Sequence, residues 1–272
     1  MIEIKGAGKR FGDFAALHGL DWNIAEGEWW GIIGPNGSGK STLMRLLSGV
    51  ERMSKGAINI CGRSIASYSR KELSRMMGVL QQEGIAPVHY PVREVLEMGR
   101  YPYLDWLGHD SRADVDSFID GIMDKLRLHE LAERPLDELS GGQRQRVALG
   151  QVMAQEPQIL LLDEPTTFLD IHYQQQFMEL VAKWRKETGI TVIAVLHDLN
   201  LAALYCDKLL VLHDGKAVGM GTPGEMLTEE RIRSVYEVEP VVVAHPGSGV
   251  PQVLLSSRDQ TKQLENNMGG SS

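Results

Sequence analysis

The stretch "GPNGSGKST", Gly34 to Thr42, fits the pattern G-x-x-x-x-G-K-[ST] in full. That spacing suits phosphate binding. Glycines let the N–H groups of a tight loop converge on phosphate oxygens, which makes Gly34, Gly37 and Gly39, with Pro35, Asn36 and Ser38 between them, candidate cradle residues. Lys40 would reach the β and γ phosphates of a nucleotide, Ser41 would ligate Mg²⁺, and Thr42 completes the loop. The context agrees: "EWWGIIG" before it reads as a buried strand, and Leu43, Leu46, Leu47 and Val50 after it recur at helical spacing.

A second group of polar residues follows apolar runs. "ILLL" ends in Asp163 and Glu164, two carboxylates at the carboxyl end of a strand, where open α/β sheets bind ligands. Asp163 is placed to hold Mg²⁺ through water and Glu164 to orient or deprotonate an attacking water, although either could simply cap the next turn. His197 follows "TVIAVL" in the same way; a lone histidine is commonly structural, but one at the same sheet edge could donate to a γ-phosphate. Gln82 closes "MMGVLQ", as a ligand of Mg²⁺ or of the attacking water, or as an ordinary boundary glutamine. Phe11 could stack on a nucleobase or pack inside its own ribbon.

"LSGGQRQRVALG", Leu139 to Gly150, looks like a second phosphate cradle, with Ser140, Gly141 and Gly142 opening a helix. It has no lysine to grip the anion. One helix N-terminus offers an anion only about 0.3–1 kcal/mol, up to about 2 in a partly buried site, so this cradle cannot hold a nucleotide alone.

The elements that must position these residues follow from periodicity. Ile2 to Ile24 alternates in bursts broken by Gly6, Gly8 and Gly12, as in antiparallel strands with tight turns. "GAINICGRSI" and "MMGVLQQ" are strand-like, and from about Glu83 to Ala154 the pattern turns helical, with breakers at Pro87, Pro91, Pro102 and Pro135. "QILLLDEP", "GITVIAVLHD" and "KLLVLHDGKAVG" are further strands, with an amphipathic helix, "YQQQFMELVAKWRKETG", between the first two. Strand-helix-strand alternation implies a mostly parallel sheet. The polar end, "SRDQTKQLENNMGGSS", is expected to be disordered, and "VVVAHPGSGVPQVLL" has no clear assignment.

Composition narrows the class. A formal net charge of -8 over 272 residues argues against a nonspecific nucleic-acid binder. Cys61 and Cys206 are too few for a disulfide framework and are expected as reduced thiols. No signal-peptide pattern and no apolar run of about eighteen residues is present, so the chain is expected neither to cross a membrane nor to be secreted.

In this order the motifs resemble those of the ATP-binding subunit of ATP-binding cassette transporters. "LSGGQRQRVAL" is similar to that family's signature motif, "ILLLDEPT" to its second nucleotide motif, "FLD" at Phe168 to Asp170 to its D-loop, "VLHD" to its switch histidine and Gln82 to its Q-loop glutamine. "LQQ" departs from the family, which commonly has a proline before that glutamine; strand register favours Gln82 over Gln81. The segments "VREVLEMGRYPYL", "EPTTFLDIHYQ" and "LHDLNLAALYCDKLLVLHDGKAVGMGTP" resemble the importer branch that serves ferric-siderophore, haem and vitamin B12 permeases.

The resemblance implies an α/β fold: a P-loop NTPase domain of cassette type over 2–240, with an antiparallel β subdomain, a helical subdomain inserted at about 83–154, and an extension over 241–272. It implies ATP and Mg²⁺ as cofactors, with Ser41, Gln82 and Asp163 at the metal and Glu164, Gln82 and His197 as catalytic residues. It also implies a head-to-tail dimer in which Ser140, Gly141, Gly142 and Gln143 of one copy face the γ-phosphate held by Lys40 of the other, with Asp170 at the D-loop. The remaining partners would be membrane permease subunits, which engage a substrate-binding protein, at the cytoplasmic face of the plasma membrane. "GRYPYLDWLG" is either their docking patch or internal packing. The expected cargo is a ferric siderophore, with haem and cobalamin next. A soluble cassette acting on ribosomes or DNA, an exporter and a monomeric kinase are the rival classes.

Overall fold

The computed structural model describes residues 1–82, 84–86, 88–167 and 169–255. The chain runs β1 (Ile2–Phe11), β2 (Phe14–Ile24), β3 (Trp29–Ile33), α1 (Lys40–Leu47), β4 (Lys55–Ile60), β5 (Arg63–Ser64), α2 (Arg70–Met76) and β6 (Met77–Leu80). Next come α3 (Val92–Met98), α4 (Val115–Leu126), α5 (Gly141–Ala154), β7 (Ile159–Asp163), α6 (Ile171–Thr188), β8 (Thr191–Val195) and α7 (Leu199–Tyr205). The last described part holds β9 (Lys208–His213), β10 (Lys216–Gly221), α8 (Pro223–Met226), α9 (Glu229–Tyr236), β11 (Pro240–Ala244) and β12 (Pro251–Leu255). The expected disordered end, from Ser257 on, lies outside the described residues.

Two sheets carry the architecture. The antiparallel one has the order β2-β1-β4-β5; the other has the order β10-β9-β3-β8-β7-β6, parallel from β9 to β6, with β10 turned back against β9. The parallel strands are apolar because both faces are covered. Their alternate residues divide between two cores: Ile159, Leu161, Ile193, Val195, Leu210 and Leu212 face α1 and the antiparallel sheet, while Leu160, Leu162, Val192, Ala194, Leu209 and Val211 face α3 to α7. A strand's two-residue period thus binds both halves of the molecule to one sheet.

Helices α3, α4 and α5 lie between β6 and β7 in the chain. They approach closely at Gly150 of α5, where a Cβ would stand 2.8 Å from Leu126 and 3.3 Å from Leu96. Beside them Arg100 is buried, donating to Asp110, Glu156 and the Ala154 carbonyl. All three charged groups, Arg100, Asp110 and Glu156, are paired and hydrogen-bonded, the condition for burying an arginine.

The unassigned segment "VVVAHPGSGVPQVLL" is the hairpin β11–β12, in register from Pro240↔Leu255 to Ala244↔Pro251. Val242 and Val253 pack on the main core, and the Asn200 carboxamide clamps it to α7. Asn200 Oδ1 accepts from the Val253 N–H at 2.7 Å and Nδ2 donates to the Val253 carbonyl at 3.3 Å. Among the described residues, no helix is long and apolar enough to cross a membrane.

Asn200→Ala leaves both backbone groups of Val253 without that partner and is expected to cost about 1–3 kcal/mol. Amide exchange is the direct measurement: protection at Val253 and Val242 should fall while that of β7 and β8 is retained.

Candidate functional site

The loop from Gly34 to Thr42 joins β3 to α1. Two of its glycines are fixed by space as well as by backbone: Gly34 has φ +149 and a Cβ there would lie 2.1 Å from the Leu212 carbonyl oxygen. Gly39, at φ +100, caps α1 with no side chain, and a Cβ would stand 2.7 Å from the Ala16 oxygen. The first N–H groups of α1 therefore remain available to an anion. Lys40 is buried and donates to the Gly34 and Pro35 carbonyls at 2.8 and 2.9 Å. Burial lowers its pKa, and the carboxylates of Glu164 and Asp163 act in the opposite sense. Ser38 Oγ is buried without a partner, while Asn36, Gly37 and Ser41 are exposed.

Strand order brings the other candidates to the same edge. Starting from β3, the neighbours are β8, β7 and β6, and the loops at their carboxyl ends carry His197, then Asp163 with Glu164, then Gln82. Asp163 closes β7; its Oδ1 is buried with no hydrogen-bond partner, and burial, reinforced by the Glu164 charge, raises its pKa. Glu164 takes a left-handed φ of +52, which a non-glycine residue holds at a cost of about 1–3 kcal/mol. Its N–H donates to the Val195 carbonyl, Oε1 lies 2.6 Å from His197 Nε2, and Oε2 lies 3.4 Å from Thr167 Oγ1. The carboxylate is thus held on both sides.

Gln82 stands two residues past β6 and is exposed, and His197 likewise stands two residues past β8. Phe11 sits at the tip of the β1–β2 ribbon, opposite Phe14, with its ring 45% exposed and Lys9 Nζ 4.8 Å from the ring centroid. Further along β2, Ala16 and Leu17 touch Gly39, so the ribbon borders the phosphate loop.

Ser140 caps α5 and forms a reciprocal pair with Gln143: Oγ accepts the Gln143 N–H at 3.3 Å and Gln143 Oε1 accepts the Ser140 N–H at 2.9 Å. Gly141 is exposed; Gly142 is buried against the ring of Tyr173. Asp170 caps α6 by accepting the Tyr173 N–H at 3.0 Å. Phe168 lies outside the described residues. Among the described residues, no hydrogen bond joins Ser140 to Gln143 with the Gly34–Thr42 loop.

The site has the features that phosphates and a hard cation need. An uncapped helix start, a buried ammonium and an unpartnered Ser38 hydroxyl face the loop, and Asp163 supplies an orphan oxygen of the kind Mg²⁺ prefers. Among the described residues no three His, Cys, Asp or Glu side chains form a metal cage. Thr167, Gln145 and Gln174 were not singled out by any motif. Thr167 lies three residues after Glu164, a spacing that could have flagged it; the two glutamines read as helix surface, yet Gln145 bonds the Pro165 carbonyl and Gln174 those of Thr166 and Leu169.

The raised Asp163 pKa has a stability consequence. The ionised form is disfavoured by folding, so its penalty is absent below the unfolded carboxyl range and grows as pH rises through the folded pKa. Asp163→Asn should therefore raise the Tm of the nucleotide-free chain at neutral pH. Melting curves at pH 7.5 and near pH 4 check it: the gain should shrink at the lower pH.

A family model described as "ABC transporter" matches residues 17–167. The hemin import ATP-binding protein HmuV of Bradyrhizobium diazoefficiens is 40% identical over 265 residues, covering 94% of this chain and 95% of its own length. The ferric enterobactin transport ATP-binding protein FepC of Escherichia coli (strain K12) is 38% identical over 244 residues, 90% of each chain. The uncharacterized ABC transporter ATP-binding protein YvrA of Bacillus subtilis (strain 168) is 35% identical over 263 residues, and the chain spans 60% of its length. A solved structure of the ATP-binding cassette MJ0796, dimeric and bound to ADP and Pi after hydrolysis, superposes with a TM-score of 0.70 at 27% identity, covering 82% of this chain and 98% of that one. The chain belongs to the ATP-binding cassette family, among the ATP-binding subunits of transporters.

Proposed function

We propose that this chain hydrolyses ATP to energise a membrane importer, with a ferric siderophore as cargo. The carrying observation is the Glu164–His197 contact of 2.6 Å, at strand ends adjacent to the loop that holds Lys40. In this reading Gly34 to Thr42 wrap the phosphates, and Lys40 exchanges its two carbonyl partners for β and γ oxygens. Phe11 offers its exposed face to the base. Ser41, Asp163 and Gln82 would hold Mg²⁺, which supplies charge neutralisation at the phosphates when bound.

Glu164 takes a proton from a water as the water oxygen bonds to the γ-phosphorus and the bond to the bridging oxygen breaks, leaving ADP and phosphate. His197 Nε2 orients that carboxylate and turns toward the γ-phosphate when it is present. The second cradle serves another copy: Ser140, Gly141, Gly142 and Gln143 cap the nucleotide of a head-to-tail partner, with Asp170 at the shared boundary. An interface assembled on a γ-phosphate closes with ATP and opens after its loss.

The domain reading is a cassette over 2–240 with the helical subdomain at about 83–154 and an extension from 241, of which the described part is the β11–β12 hairpin. Docking to permease subunits, and through them to a substrate-binding protein, falls to the loop beside Arg100. Tyr103 points inward, its hydroxyl donating to the Gln155 carbonyl, while Tyr101 and Trp106 are 77% and 89% exposed. Lys71 and Arg75 donate to the Leu104 and Pro102 carbonyls, so these rings project from a fixed backbone. "GRYPYLDWLG" is thus divided between packing and presentation. The chain would sit at the cytoplasmic face of the plasma membrane through the permease, with no nucleic acid partner. Siderophore cargo draws on FepC and haem, the second reading, on HmuV.

Glu164→Gln is expected to cut turnover by about 10²–10⁴, the usual worth of a general base, with ATP binding kept. Single-turnover assays with labelled ATP check this, and unaltered hydrolysis would overturn the assignment. Trp106→Ala should weaken co-purification of the permease while the isolated chain hydrolyses ATP at the wild-type rate. Uptake of labelled ferric siderophore, haem and cobalamin in a deletion strain identifies the cargo: lost siderophore uptake supports the first reading, and lost haem uptake alone supports the second.

A further inference from the structure

The loop that carries Glu164 is tied to the helix that opens with Ser140. Gln145, one turn into α5, donates its Nε2 to the Pro165 carbonyl at 2.8 Å. Pro165 is buried, has no N–H, and directly follows Glu164. The oxygen of the same carboxamide faces the segment after Gln82, where a Cβ on Gly84 would lie 3.4 Å from Gln145 Oε1.

A second tie joins the first turns of α5 and α6. A Cβ on Gly142 would stand 2.8, 3.0 and 3.1 Å from Cδ1, Cγ and Cε1 of Tyr173, so the bare backbone of Gly142 rests against that ring. Tyr173 is in turn fixed by Asp170, and Gln174 donates to the carbonyls of Thr166 and Leu169. The stretch after Glu164 is therefore bonded from α5 at Pro165 and from α6 at Thr166, Leu169 and Asp170. Packed helices shift as rigid bodies, so movement of the Ser140 end of α5 must move Pro165 or break these contacts.

We propose that Gln145 and Tyr173 are positioning residues that link the two nucleotide sites of a dimer through a single chain. The inference rests on the head-to-tail reading, in which Ser140–Gly142 of a chain cap the partner's nucleotide while Glu164 of that chain acts on its own. Capping one γ-phosphate draws the start of α5, and the two ties carry that displacement to the carboxylate serving the other site. In this reading neither residue is part of the phosphate loop or of the capping turn.

The test uses the full-length chain. ATP hydrolysis is measured against ATP concentration for wild type, Gln145→Leu, Tyr173→Leu and Tyr173→Phe, with melting curves for each. ATP-induced dimerisation is followed by sedimentation in the Glu164→Gln background. Wild type should give a Hill coefficient above 1 and at most 2, the number of sites. Both leucine variants should bring it to about 1 and lower turnover about two- to thirty-fold, the range for removing one link in a coupled network. They should keep ATP-induced dimerisation, and Tyr173→Phe, which retains the ring against Gly142, should behave as wild type.

If Gln145→Leu melts early, Gln145→Glu, which keeps the size and removes the donor, gives the same readout. Dimerisation with wild-type cooperativity in the leucine and glutamate variants overturns the link and leaves the head-to-tail reading intact. A wild-type Hill coefficient of 1 also overturns the link. No ATP-induced dimer in the Glu164→Gln chain overturns the head-to-tail reading and the link with it.

Discussion

Parallel pairing of β3, β8, β7 and β6 is the constraint from which the rest of the site follows. A strand covered on both faces must be apolar along its length, so a functional group can leave it only at an end. Since the four strands run in the same direction and lie side by side, their ends form one line. Lys40, His197, Asp163, Glu164 and Gln82 are far apart in the chain and meet at one edge for that reason. The two cores on either side then fix the edge in place, because each takes every second side chain of the same strands.

Such an edge holds charge under unfavourable conditions. Lys40 is buried and bonded to neutral carbonyls, Asp163 has an oxygen with no donor, and Glu164 keeps a backbone angle most residues avoid. Under the proposed function, a polyphosphate and its cation would serve the Lys40 ammonium and the Asp163 oxygen better than the protein does alone. On that reading, free energy withheld from folding would become available for binding.

The features that sequence made legible are those whose spacing is itself the chemistry. The phosphate loop must present glycines where Leu212 and Ala16 crowd it, so the motif and its geometry carry the same information. β7 and β8 were equally plain, being short apolar runs ending in acid or histidine. The β11–β12 hairpin was not, because valines and leucines lie on both of its faces: Val242 and Val253 inside, Val241 and Leu254 outside. No alternation marks such strands, and it is tertiary contacts such as the Asn200 clamp that reveal their place. Gln82 and His197 were expected at strand tips and stand two residues beyond them, since a turn of irregular backbone leaves no periodic trace. Tyr101 and Tyr103, two residues apart, go opposite ways for a tertiary reason, the Gln155 carbonyl that receives only the second.

The reciprocal pair at Ser140 bears on which residue can occupy that position. Aspartate and asparagine close a helix start as well as serine does. Ser140 Oγ already accepts the Gln143 N–H, yet its own proton is still free to be given away. An aspartate would hold the helix equally well and repel a phosphate; an asparagine would have to turn its amide away from the helix to donate. In the proposed head-to-tail reading a hydroxyl alone would serve both neighbours from one atom, so the smallest polar side chain would let folding and anion capture share a position without competing for it.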